Sequence, residues 1–175
     1  TCRKIRLWYN FIKSLNLNEL QDFLDSRKPS IVINAIGKAG RPNIDWCESH
    51  KEETTLSNVS AAINLGVECS KRGIYFVHFG SGCLYTGDNN GKGYSEEDPP
   101  NCLGNQFYQK TKYLTEQMLR EFPGLILRVR FPIDDRPHER NIVNKLLSYP
   151  AVIDISNSMV TVPHMIDAIG KLVNM

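Results

Sequence analysis

The chain has 175 residues, enough for one well-filled core, with 41% hydrophobic and 23% charged residues, an ordinary globular balance. Its formal charge of +2 is dispersed, with no basic run and no basic stripe interleaved with aromatics, which argues against nucleic acid or an anionic membrane as partner. No apolar stretch nears the ~20 residues that span a bilayer, and no signal peptide is visible at Thr1.

The predicted elements alternate along the chain. Residues 15–26 place Leu17, Leu20, Phe23 and Leu24 at helical spacing, and Pro29 marks the exit. Residues 30–36 form a short continuous apolar run, which predicts a strand buried on both faces. A loop from Gly37 to Pro42 follows, then an irregular or helical stretch over 43–56. A helix over 56–72 ends at Gly73, and a second buried strand covers 74–79. Residues 84–104 are a loop rich in Gly, Asn, Asp and Pro, and so long a loop in a compact domain is usually functional. The next helix presents Phe107, Thr111, Leu114 and Met118 to its packed side and stops at Pro123-Gly124. A third strand over 125–131 is stopped by Pro132, and an amphipathic helix spans 141–149. A short strand is expected at 151–155. Pro163 opens a last helix with Met165, Ile166, Ile169, Leu172 and Val173 inward. Alternating strands and helices predict a Rossmann-like α/β fold, a mainly parallel sheet flanked by helices, as a single domain over 1–175.

Five cysteines (Cys2, Cys47, Cys69, Cys83, Cys102) make an odd number without a Cys-x-x-Cys pair, which disfavours a disulfide framework and a zinc cluster and suits a reducing cytoplasm. His50, His78, His138 and His164 have no metal-ligand spacing, and His78 reads as a core histidine, so no metal site is expected. Asn58–Ser60 matches a glycosylation acceptor inside a helical pattern and reads as chance.

Tyr108 and Lys112 stand four residues apart, so on a helix they share a face. An ammonium there lowers a phenol pKa from about 10 and makes it a proton donor or acceptor near neutral pH. Ser81, at the end of the second strand, can hold the oxygen that gains or loses that proton. The trio suits hydride chemistry at a carbon–oxygen bond. A solvated aromatic–lysine pair satisfies the same spacing, and it is the strand end, loop and helix around the pair that favour chemistry. Ligands of open α/β sheets bind beyond the carboxyl ends of the strands, where Asn34–Gly37, Ser81–Cys83 and Pro132–Ile133 fall.

Longer stretches carry a resemblance. Residues 34–48 (NAIGKAGRPNIDWCE), 80–84 (GSGCL), 107–112 (FYQKTK), 127–133 (LRVRFPI), 140–145 (RNIVNK) and 157–159 (NSM) resemble the extended short-chain dehydrogenase/reductases. More narrowly they are similar to the nucleotide-rhamnose synthases, bifunctional 3,5-epimerase/4-reductases acting on a nucleotide-linked 4-keto-6-deoxyhexose. The resemblance implies that Tyr108 donates a proton to the 4-keto oxygen, that Lys112 tunes it and holds the nicotinamide ribose, and that Ser81 takes the usual Ser/Thr position, where close relatives carry threonine. It makes Cys83 and Lys145 the acid/base pair of epimerisation, with a small buried filler and an exposed surface lysine as the bland alternatives. It implies NADPH or NADH contacts from Asn34, Ala35, Ile36, Gly37, Tyr108, Lys112, Pro132 and Ile133. Substrate contacts are implied for Arg41, Ser81, Cys83, Arg140 and Asn141, with a homodimer left open.

Inversion at C3 and C5 is chemically accessible because both carbons flank the C4 ketone, so their protons are acidified through an enolate. One group must remove a proton from one face and another must supply it to the opposite face. A thiol of free pKa ~8.5 or a buried lysine can serve.

The family's glycine-rich dinucleotide turn is absent, since Gly37-Lys-Ala-Gly40 follows the wrong strand with the wrong spacing. The expectation is therefore a chain lacking the first strands, with its NAD or NADP choice unreadable. The activity expected is that of a bifunctional epimerase/reductase yielding NDP-rhamnose, with UDP as the nucleotide. The alternatives are a simple dTDP-4-dehydrorhamnose-type reductase or a non-catalytic regulatory or binding remnant of the same fold.

Overall fold

The computed structural model describes residues 16–102, 106–138, 141–152, 154 and 157–174. Helix α1 (Leu17–Arg27) starts at Asn16, whose side chain accepts from the Glu19 amide and donates to the Glu19 carboxylate, a reciprocal cap. It stops where Lys28 turns left-handed at φ 45° ahead of Pro29. Strands β1 (Ile31–Asn34), β2 (Tyr75–Phe79) and β3 (Gly124–Leu127) form a parallel sheet in the order β1-β2-β3. Asn34 lies opposite His78, and Phe79 opposite Leu127. Both crossovers are helical, as parallel pairing requires.

The first crossover runs through α2 (Trp46–Ser49), α3 (Lys51–Thr55), a π-helical turn (Leu56–Ser60) and α4 (Ala61–Lys71). The second passes a 3-10 turn (Gly82–Leu84), the loop described over residues 85–102, and α5 (Phe107–Leu119). Leu20 and Leu24 of α1, Ala62, Leu65 and Cys69 of α4, Phe76 of β2 and Leu119 of α5 close one core against a face of the sheet. Burial of apolar surface is the main force there, at about 25 cal/mol per Å². Beyond β3 a second parallel pair, β4 (Pro132–Ile133) with β5 (Val160–Thr161), is flanked by α6 (Ile142–Ser148) and α7 (Val162–Leu172).

Six expectations need correction. β1 is not buried on both faces, because Ile33 is 44% exposed while Asn34 is buried. The packed side of α5 excludes Leu114 and Met118, which are exposed; it is made by Thr111, Lys112, Thr115, Glu116 and Leu119. The reason is that this face packs partly by hydrogen bonds, with Thr115 donating to the Asn58 carbonyl at 2.8 Å. The third strand ends at Leu127, and Phe131, expected within it, sits at φ 42°, outside strand geometry. Pro132 then opens β4 instead of stopping a strand, a place where its missing N–H does no harm. Among the described residues of 151–155 there is no strand, and Val160–Thr161 pair with β4 instead. In α7 Ile169 alone of the five named residues is buried, whereas Ile166 and Leu172 are exposed.

Candidate active site

Three segments meet at the carboxyl end of β2: its own exit, the amino-terminal turns of α5, and the 37–50 loop after β1. At the exit Ser81 is extended and buried, and its hydroxyl accepts from the Cys83 amide at 3.1 Å. Ser81 lies beside the Tyr108 hydroxyl and favours its ionised form. Burial pushes the Tyr108 phenol up to about 12, and Ser81 offsets only part of that. One turn along α5, Lys112 is buried and donates to the Phe79 carbonyl at 2.8 Å. Desolvation pulls its ammonium down to about 8.

These values correct one expectation. The ammonium does not lower the phenol. Lys112 is turned to the strand end, and its charge falls on His78, adding to the burial that takes that imidazole down to about 3. His78 is therefore a neutral core histidine, as its position in a strand suggested. Its Nδ1 accepts from the Asn34 amide at 3.0 Å, and its Nε2 has no partner among the described residues.

Asn34 is occupied on both sides, because its carbonyl oxygen also accepts from the Ile36 amide at 2.9 Å. Ala35, Ile36 and Gly37 lie beyond it and are exposed. Gly37 faces the trio: a Cβ there would stand 3.7 Å from Asn58 Oδ1 and 3.8 Å from Lys112 Nζ. Pro132 and Ile133, the other expected cofactor contacts, form β4. Asn141 caps α6, accepting from the Val143 amide at 3.1 Å, and donates to the Asp134 carbonyl at 2.6 Å. Lys145, on the same helix, reaches the Pro42 carbonyl at 3.4 Å rather than Cys83. Arg41 sits beside Pro42 on an exposed loop. Arg140 lies outside the described residues.

Several residues that organise the site have no such role legible in the sequence; for the block from Arg41 to Glu48 the expectation is to bind substrate or merely to shape the loop. Asn58, noted there only for a chance acceptor pattern, is fully buried in the π turn. Its amide accepts from the Lys38 amide at 2.6 Å and donates to the Lys38 carbonyl at 3.0 Å and to Thr111 at 3.3 Å, pinning the loop to α5. Such π turns concentrate at functional sites. Asp45 accepts from the Gln106 side chain at 2.9 Å and Glu48 from the Phe107 amide at 2.5 Å, so the acidic residues of the 41–48 block hold the first turn of the helix that carries Tyr108. Glu116, four residues past Lys112, is buried and paired bidentately with Arg128. The continued i+4 spacing Tyr108, Lys112, Glu116 is the signal that could have found it.

A parallel sheet with a serine, a tyrosine and a lysine gathered at a strand's carboxyl end defines the short-chain dehydrogenase/reductase class. Within it, residues 10–151 match the RmlD substrate binding domain, and the chain belongs to that family. A bifunctional dTDP-4-dehydrorhamnose 3,5-epimerase/dTDP-4-dehydrorhamnose reductase of Arabidopsis thaliana is 43% identical over 143 residues, covering 78% of this chain and 47% of its own. A trifunctional UDP-glucose 4,6-dehydratase/UDP-4-keto-6-deoxy-D-glucose 3,5-epimerase/UDP-4-keto-L-rhamnose-reductase of the same plant is 39% identical, covering 94% of this chain and 26% of its own. The chain thus spans about half or less of these relatives. Among solved structures, the UDP-rhamnose synthase of Acanthamoeba polyphaga mimivirus superposes with a TM-score of 0.85 at 26% identity, over 93% of this chain and 60% of that one. The Bacillus anthracis dTDP-4-dehydrorhamnose reductase, solved with NADP, shares the fold at a TM-score of 0.77 and 20% identity, over 93% of this chain and 58% of that one.

Proposed function

We propose that the chain carries 3,5-epimerase/4-reductase chemistry on a UDP-linked 4-keto-6-deoxyhexose, giving UDP-rhamnose with NADPH or NADH as reductant. The observation that carries this is the gathering of a buried Ser81 and a buried Lys112 with Tyr108 at the carboxyl end of β2, with the Cys83 amide hydrogen-bonded to Ser81 on the next turn. A phenol held near 12 is protonated at neutral pH, which suits reduction: the step needs a donor, not a base. Tyr108 gives its proton to the C4 oxygen, and Ser81 hydrogen-bonds that oxygen and the phenolate left behind.

The donor set suits the nicotinamide-ribose end of a dinucleotide. An ammonium has three N–H donors, and Lys112 commits one to the Phe79 carbonyl, leaving capacity for ribose hydroxyls beside the open edge at Gly37. Bound there, the cofactor supplies the hydride for C4. The Gly37–Gly40 loop does not suit its pyrophosphate, because Asn58 occupies the Lys38 amide and Trp46 fills the space over Gly40.

For epimerisation, Cys83 works from the strand end and Lys145 from α6 across the 41–48 loop. One takes the proton from C3 or C5 and the other returns one to the opposite face. The free thiols of Cys47, Cys69, Cys83 and Cys102 support a reducing, cytoplasmic setting. No helix among the described residues is long and apolar enough to cross a membrane. The test is proton exchange in deuterium oxide, which needs no reductant. The chain should introduce deuterium at C3 and C5 of UDP-4-keto-6-deoxyglucose, and Cys83→Ala should stop it. No exchange by the unaltered chain would defeat the epimerase assignment.

A further inference from the structure

Cys83 stands on a four-residue turn, Gly82 to Tyr85, and every carbonyl of that turn has a partner from elsewhere in the chain. Arg130 Nη1 donates to the Gly82 carbonyl at 3.1 Å and to the Tyr85 carbonyl at 3.3 Å. Gln109, on α5 one position after Tyr108, donates to the Cys83 carbonyl at 3.1 Å. The Leu84 carbonyl accepts from the amides of Asn101 and Cys102, at 3.2 and 3.0 Å, where the long loop returns. Of these partners Arg130 alone brackets the thiol, holding the carbonyls on either side of Cys83–Leu84 with one nitrogen.

Two further observations show that Arg130 and the turn are fitted to each other. The Gly82 amide donates to the Val129 carbonyl at 3.0 Å, which brings the turn against the chain just before Arg130. A Cβ at Gly82 would lie 2.8 Å from the Cβ of Arg130, so only glycine admits this approach. The guanidinium lies 5.4 Å from the Phe131 ring, which fixes its far side. Its Nε is buried and has no partner among the described residues, so a polar group is held near the turn for its position at the cost of an unmade bond.

We infer that Arg130 is a positioning residue for epimerisation: it fixes the turn that aims the Cys83 thiol, and it takes no part in reduction. This rests on the proposed role of Cys83. The reduction trio touches the turn where the Ser81 hydroxyl accepts from the Cys83 amide, but Tyr108 and Lys112 are carried by α5 and Lys112 is anchored on the Phe79 carbonyl, none of which Arg130 contacts. Loosening the turn should therefore separate the two chemistries. Proton abstraction from carbon depends steeply on placement, and a misplacement of about 1 Å can cost about 100-fold.

The test compares Arg130→Met, which keeps the stem and drops the guanidinium, with Arg130→Lys, which keeps a cation and multiple donors. Three readouts are taken: deuterium wash-in at C3 and C5, reduction of a pre-epimerised 4-keto sugar, and amide hydrogen exchange of the peptide covering 81–86. Arg130→Met should slow wash-in by roughly 10- to 100-fold, leave reduction near the unaltered rate, and speed amide exchange in 81–86 but not in β2. Arg130→Lys should recover part of the wash-in. Equal loss of wash-in and reduction, or unchanged amide exchange in 81–86, would overturn the inference. If the unaltered chain shows no wash-in at all, the epimerase assignment falls, while amide exchange in 81–86 still decides whether Arg130 holds the turn. Should Arg130→Met fail to fold, Arg130→Lys decides: wash-in and reduction falling in step would overturn the positioning role.

Discussion

Replacing Glu116 should be among the most damaging single changes in the described chain, and the structure says how much. Its side chain is 1% exposed and receives Arg128 through Nε at 3.1 Å and Nη2 at 2.6 Å. Arg128 is itself 14% exposed and also donates to the Tyr85 hydroxyl, which in turn donates to the Asp98 carbonyl at 2.7 Å. The pair thus ties α5, β3 and the 84–102 loop. Arg120 approaches the same carboxylate at 3.1 Å but is half exposed and adds little. Glu116→Leu strands a buried guanidinium, and breaking such a pair costs about 3–5 kcal/mol. For a chain of this size that lowers Tm by about 6–20 °C. Thermal melts and urea titrations of Glu116→Leu, Arg128→Met and the double variant form the assay. The double variant should recover most of the loss, because neither charge is then left without its partner. A single-variant loss under about 1 kcal/mol, or strict additivity in the double variant, would refute the reasoning.

Lys112 makes a pH prediction whose sign can be worked out. Its folded pKa of about 8 lies below the unfolded value, so between pH 8 and about 10 the unfolded chain binds the extra proton and stability rises with pH, by about 2 kcal/mol in all. Above about 10 the Tyr108 phenol, still protonated in the folded state at values to about 12, reverses the trend. Urea midpoints of the chain and of Lys112→Met across that range check this: the variant should lose the rise, and an equal rise in both would contradict the assignment. Asn58→Ala should cost about 1–3 kcal/mol by leaving the Lys38 backbone groups without their partner. An unchanged urea midpoint would show that the π turn does not pin the loop.

Much of the architecture was legible because its signals are local. The apolar runs at 30–36 and 74–79, the helical spacing of Leu17 to Leu24 with its exit at Pro29, and the period of the α5 sequence all act over a few residues. The elements misplaced were those decided by distant partners. Ile33 looks like a core residue from its neighbours, and only the sheet's packing leaves it exposed. Leu114 and Met118 look inward by apolarity, but the hydrogen bonds of Thr111 and Thr115 to Asn58 turn α5 the other way. The same holds at the site. That Ser81, Tyr108 and Lys112 come together could be expected from spacing and context, whereas the direction of the tyrosine's pKa could not, since burial decides it. Asp45, Glu48 and Gln109 act across long sequence separations, which no single-chain periodicity reveals.

The central claim is that Tyr108 supplies the proton for reduction while Cys83 and Lys145 invert the neighbouring carbons. Tyr108→Phe removes one hydroxyl and tests the split most directly, with reduction of the 4-keto sugar and deuterium entry at C3 and C5 measured on the same protein. Reduction should fall by about 10²- to 10⁴-fold, the usual worth of a positioned general acid, with deuterium entry still readily detected. Reduction at the unaltered rate, or loss of both together, would contradict the account.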